Sequence, residues 1–334
     1  MRKRVLLLLT VGLTVSCYQV TETDRLNNVL KEEKGTLTDR DGKEVSYDLK
    51  SGKDCFALDY SDEFNYGSVD ELLAVCHEGT EEKIWIAQND WNVHRDGVSV
   101  GNGRLGLWVK RVDDSNHPVV KENRRIAKTL CSGITYNREV KYGYIEAKLR
   151  MYKKKSSQYW PGFYTYVLKK DNASGKSIGG YEFDIFEPLD NKEINQTTHW
   201  PFSDSFRTSY KYAAPLEFEK WITASVAWTS EKVAYYLDGK LSYVFYNDNS
   251  NHFFPSAKVS QIRKGGGLAA ENHKYQLVAN LPQKIILVVA AGNGSASTWT
   301  GIDLEPVDKR PDGWEQLVYE FDRFRYFRYV GTEK

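Results

Sequence analysis

The chain has 334 residues, is 41% hydrophobic and 13% aromatic, and carries 22 Tyr and 9 Trp. That composition excludes a disordered chain and supports one large or two ordinary domains. A formal net charge of +1 gives no global bias toward nucleic acid, and short basic stretches such as Lys153 to Lys155 read as solvated faces.

Residues 1–17, MRKRVLLLLTVGLTVSC, combine a basic head, an apolar run from Val5 to Val15 and a cysteine. The run is too short to span a membrane as a mature helix and reads as a signal peptide. Cleavage before Cys17 would leave a lipid-modified N-terminus, an expectation of a bacterial outer-membrane or cell-surface lipoprotein; plain secretion is the alternative. Residues 18–51 are polar and charged and read as a tether. Cys55, Cys76 and Cys131 then remain in an exported chain. They offer a Cys55–Cys76 disulfide or, equally, buried free thiols.

From residue 52 to 334 strand patterns dominate and long helical periodicity is absent. They include residues 103–112, 142–152, 163–168, 224–230, 232–246, 284–291 and 317–330. Asp238-Gly239, between two such runs, predicts a tight hairpin. Many strands broken by Gly, Asn and Asp predict an all-β fold, a two-sheet β-sandwich or jelly roll. Residues 247–276 carry few strand signals and read as a long loop region.

The segment GGYEFDIFEPLD (179–190) gathers Glu182, Asp184 and Glu187 among apolar residues. Glu182 and Asp184 share a strand face, whereas Glu187 breaks the alternation. A β-bulge at Ile185–Phe186 would return Glu187 to that face. Carboxylates on one surface suit a retaining glycosidase, in which one attacks the anomeric carbon and another donates and then accepts a proton. A calcium site and a merely solvated acidic face are the competing readings; no His or Cys spacing of a transition-metal site was evident.

Glu182-Phe-Asp184-Ile-Phe-Glu187 resembles the E-x-D-x-x-E signature of glycoside hydrolase family 16. The resemblance extends over residues 56–65, 98–111, 141–151, 159–168, 221–240 and 319–330, in order along the chain. It implies a jelly roll with an open cleft on its concave face. It implies Glu182 as nucleophile, Glu187 as general acid/base and Asp184 as the assisting acid, with Trp160 at the cleft floor. Tyr164 stands where the family often has Trp. No cofactor is implied, and a structural calcium stays open.

The expected substrate is a polysaccharide, a sulfated or neutral red-algal galactan such as porphyran or agarose. His199 resembles a cleft histidine of galactan-cleaving members, and Phe186 replaces the Met frequent in glucan-cleaving ones. Arg138, Lys141, Lys153, Arg207, Arg263 and Lys264 lie in segments that could reach the cleft, where arginine suits a sulfate. Among the tryptophans, Trp160, Trp200 and Trp299 are the cleft candidates, while most strand tryptophans fill a core. An endo-β-glucanase, a carrageenase, a transglycosylase or a non-catalytic carbohydrate-binding lipoprotein are the rival readings. The chain is expected to act as a monomer, without nucleic-acid partners, touching a membrane only through its lipid.

Overall fold

The computed structural model describes residues 36–38, 44–46, 54–78, 93–118, 128–156, 159–170, 177–188, 190–201, 207–246, 262–265, 278–291 and 305–332. Cys17 and the rest of the leader expected from the sequence lie outside them, as does Trp299.

In chain order, β1 (Thr36–Thr38) and β2 (Glu44–Ser46) pair antiparallel, a ladder inside the segment read as a tether. Then come β3 (Asp54–Asp62), β4 (Cys76–Glu78), β5 (Val98–Gly101), β6 (Arg104–Arg111) and β7 (Thr129–Leu130). The middle of the chain forms β8 (Ser132–Val140), β9 (Gly143–Met151), β10 (Tyr159–Lys170), β11 (Ser177–Glu187), β12 (Glu193–Pro201) and β13 (Arg207–Pro215). The remainder forms β14 (Ile222–Trp228), β15 (Lys232–Leu237), β16 (Lys240–Tyr246), β17 (Ile262–Gly265), β18 (Gln283–Ala291) and β19 (Glu315–Thr332).

The strands make two antiparallel sheets, as the sequence predicts for a jelly roll. One runs β17-β13-β12-β11-β10-β18-β8-β4; the other runs β16-β15-β14-β9-β19-β6-β5, with β3 added beside β19 and β7 beside β6. The β15–β16 hairpin turns at Asp238 and Gly239, both with positive φ (48° and 71°), the backbone that a two-residue turn of this hand demands. β17 lies inside the stretch read as loop. It is a short edge strand, and four residues give too little alternation to be seen in a sequence.

The core lies between the sheets because each strand turns alternate apolar side chains inward. Phe163, Phe183, Ile185, Phe186 and Leu287 of the first sheet meet Ile145, Leu149, Val226, Trp228, Tyr319 and Phe324 of the second, all buried. Aromatic edges lock the layers: Phe183 to Trp228 at 5.3 Å, Phe186 to Tyr319 at 5.8 Å and Phe163 to Phe324 at 6.3 Å between ring centroids. Trp228 also donates its indole N–H to the Ala279 carbonyl at 2.9 Å.

The disulfide alternative fails. Cys76 and Cys131 are buried free thiols, which excludes a Cys55–Cys76 bridge. Burial, then the nearby Asp62 carboxylate, pushes the Cys76 thiol up to about 12. Burial raises Cys131 as well. Both thiols stay protonated and act as small apolar core groups.

Candidate active site

The site is built by β11 and its two neighbours. Along β11, Glu182 stands opposite His199 and Asp184 opposite Thr197 of β12. The register then slips, and the next pair is Glu187 with Asn195, three residues against two. On the other side, Asp184 faces Tyr164 while Phe186 faces Phe163, leaving Ile185 as the additional residue. Ile185 and Phe186 both enter the core with 0% exposure. Asn195 and Thr197 are two apart on β12, so Glu187 and Asp184, their partners, share a face. The bulge therefore falls at Ile185–Phe186, and the three carboxylates line the surface turned away from the core. Burying two successive apolar side chains, each worth roughly 1.5–3 kcal/mol, holds the irregular register in place.

Asp184 is the buried member, with its side chain 3% exposed, and its Oδ2 lies 3.0 Å from His199 Nε2. One oxygen each of Glu182 and Asp184 and a nitrogen of His199 lie within 4.8 Å of one another. Two carboxylates and an imidazole so close can share and pass protons, and the same donor set could hold a cation. Tyr164, opposite Asp184, has its phenol raised well above the ordinary value, by burial first and by the Glu182 and Asp184 charges next. It stays a neutral hydrogen-bond donor at the acid cluster.

Cross-strand pairs place further residues on this face. The row through Asp184 continues by Thr197 and Lys211 to Arg263 on one side. On the other it passes Tyr164 and Ile286 to Thr135. The row through Glu182 passes His199 on one side, and Tyr166 and Lys284 on the other. Arg263 thus holds a register position three strand spacings, about 14 Å, from Asp184. Beside the acids, Tyr166, Ile286, Val288 and Ala290 form an apolar floor, with Trp160, Tyr164 and Val93 packed on it. Tyr166 was not singled out from the sequence, although the period-two run Trp160, Gly162, Tyr164, Tyr166 marks one face of β10.

Two expected contacts are corrected. Trp200 follows His199, so strict alternation turns it into the core, where it is 0% exposed. It cannot stack on a sugar. Arg138 is held by Asp59 of β3 at 2.8 Å and lies over the Tyr60 ring, so it reaches toward the second sheet, not across the acids. On β8 it is Thr135 that holds the cleft-face row, so alternation puts Arg138 on the opposite side with Ile134 and Tyr136, which face the second sheet.

Comparison with known proteins agrees with the fold. The family model for glycosyl hydrolases family 16 matches residues 86–278, more than half of the chain. The laminarinase catalytic domain from Thermotoga maritima MSB8 superposes with a TM-score of 0.57 at 19% identity, covering 83% of this chain and 99% of that one. A structure described under endo-acting O-glycanases of the human gut microbiota that initiate mucin breakdown gives 0.54 at 16% identity, covering 82% and 91%. A family 16 endo-glucanase from Bacteroides ovatus gives 0.51 at 18% identity, covering 80% and 99%. At these identities the likeness is one of fold. A search of curated proteins finds no match.

Proposed function

Because the chain belongs to glycosyl hydrolase family 16, we propose that its bulged acid strand hydrolyses internal β-glycosidic bonds with retention of configuration. The observation that carries this reading is the register slip at Ile185–Phe186, which brings Glu182, Asp184 and Glu187 to one face. In the first step the Glu182 carboxylate attacks the anomeric carbon, and the bond to the leaving oxygen breaks as Glu187 gives that oxygen its proton. In the second, Glu187, now a carboxylate, takes a proton from water. The resulting hydroxide equivalent displaces Glu182 from the anomeric carbon, and the β-configuration is restored. Asp184, hydrogen-bonded to His199, steadies the charge on this strand between steps. Trp160 and Tyr164, packed on the buried Tyr166, supply ring faces on which a sugar can lie.

For the polymer, we favour a β-linked galactan. His199 sits directly across from Glu182, where it can read a hydroxyl of the cleaved sugar. Lys211 and Arg263 continue the Asp184 row, a placement that suits an anionic polymer such as a sulfated galactan. The engagement of Arg138 by Asp59 removes one support from that choice. The named laminarinase and glucanase relatives favour a β-glucan as the second reading. We also propose that Cys17 carries a lipid that holds the enzyme outside the cytoplasm; labelling with a tagged fatty acid, lost in Cys17→Ser, tests this.

The activity test incubates the protein with porphyran, agarose, κ-carrageenan, laminarin, mixed-linkage glucan and mucin, beside Glu182→Gln. New reducing ends on porphyran or agarose, absent with the variant, are the expected result. Cleavage of a glucan alone would keep the mechanism and overturn the galactan choice. Equal activity in Glu182→Gln would overturn the mechanism.

A further inference from the structure

A second cluster of ionisable groups lies at the edge of the cleft floor and has no part in the proposed hydrolysis. His94 precedes a short 3-10 turn, Arg95–Gly97, and Asp96 lies within that turn. His117 comes from the turn that follows β6, and brings a third donor from a separate segment. Asp96 Oδ2 is 3.0 Å from His117 Nε2 and 3.5 Å from His94 Nδ1. The two imidazole rings meet edge to face, 4.8 Å between centroids. One donor atom of each residue lies within 4.8 Å of the others. Two donors bound at about 2.0–2.1 Å to a tetrahedral ion stand about 3.3–3.4 Å apart, so both measured separations are near those of a ligand shell. The histidine side chains are only 21% and 15% exposed, while Asp96, at 56%, leaves one side open to an entering ion.

We propose that His94, Asp96 and His117 bind a first-row divalent transition ion, zinc or a close chemical neighbour. Two imidazoles and one carboxylate suit such an ion, whereas calcium and magnesium prefer an all-oxygen shell. The ion would displace the contact that His94 Nδ1 now makes with the Asp96 amide at 3.2 Å. Its consequence follows from position. The residue before His94 is Val93, which bridges to Cys131 beside β8 and packs on the apolar floor with Trp160 and Tyr164. Binding the 94–96 segment to the 117 turn fixes Val93 there, so the ion acts as a staple of the cleft wall and takes no part in bond cleavage. The inference does not rest on the proposed hydrolysis.

The experiment strips the full chain with a chelator and titrates it with zinc, cobalt(II) or calcium, following calorimetric heat, cobalt visible absorption and melting temperature. The expected result is one saturable equivalent of zinc and of cobalt, a rise of a few degrees in melting temperature, and no response to calcium. Asp96→Asn and His117→Ala should abolish all three signals. His199→Ala should leave them intact, because it alters only the Glu182–Asp184–His199 cluster. Asp96 is exposed, so Asp96→Asn keeps the test valid if His117→Ala does not fold. Saturable binding that survives Asp96→Asn, or that disappears with His199→Ala, would overturn the proposal. So would an equal response to calcium, or no saturable binding at all.

Discussion

Glu182 and Glu187 face the solvent side of β11, while Asp184 is nearly enclosed and bonded to His199. The three acids should therefore differ in their sensitivity to substitution. Replacing Glu182 or Glu187 by Gln should lower kcat/KM by about 10⁴-fold on the polymer that the wild-type protein cleaves, with the fold unchanged by circular dichroism. His199→Ala should act through Asp184, lowering kcat by about 10²-fold with a smaller change in KM. Unchanged kcat in His199→Ala would show that the 3.0 Å contact has no part in positioning. Elsewhere, burial holds the Lys154 amine down to about 7, against a smaller upward pull from Asp190. A lysine whose folded value is lowered binds its proton less readily when folded than when unfolded. Its cost is therefore full below pH 7 and fades as pH rises toward the unfolded value near 10.5. Lys154→Met should raise melting temperature more at pH 6 than at pH 9, and the reverse order would contradict this origin.

At the scale of elements, β11 shows how a break in pattern becomes a site. The acid spacing alone called for a bulge at Ile185–Phe186, and the register places it there. Phe186, packed on Tyr319, should be the anchor: Phe186→Ala is expected to cost about 3–5 kcal/mol in urea unfolding. Deleting Ile185 is a sharper probe. It yields Glu-Phe-Asp-Phe-Glu, whose plain alternation still puts all three acids on one face, but draws Glu187 inward by one residue, about 3.3 Å. The protein should fold and lose about 10²-fold or more in kcat, because the acid no longer meets the leaving oxygen. Full activity would mean that the bulge sets no catalytic distance. The same alternation explains what went astray nearby. Trp200 is adjacent to a cleft residue, and adjacency on a strand means the opposite face. β17 was too short to read, and the His94–Asp96–His117 cluster was hidden because His117 lies in a turn far from the other two in sequence.

Across the whole molecule, the strand patterns and the Asp238-Gly239 turn were enough to predict two antiparallel sheets, since period two and turn chemistry are local properties. Which side of a sheet a residue faces could be read within a strand once the bulge was placed. Which strands lie side by side could not, because it depends on long-range pairing: β10 lies between β11 and β18, more than a hundred residues downstream. Hence Arg138, judged by sequence to be within reach of the cleft, is tied to Asp59 on the other layer. The proposed chemistry is a double displacement on the bulged strand. Its most direct test is proton NMR of the anomeric signals during the first minutes of cleavage, before the products equilibrate. The β-anomer of the new reducing end should appear first and convert slowly to α. First appearance of the α-anomer would mean inversion, with water as the attacking group, and would contradict the role given to Glu182.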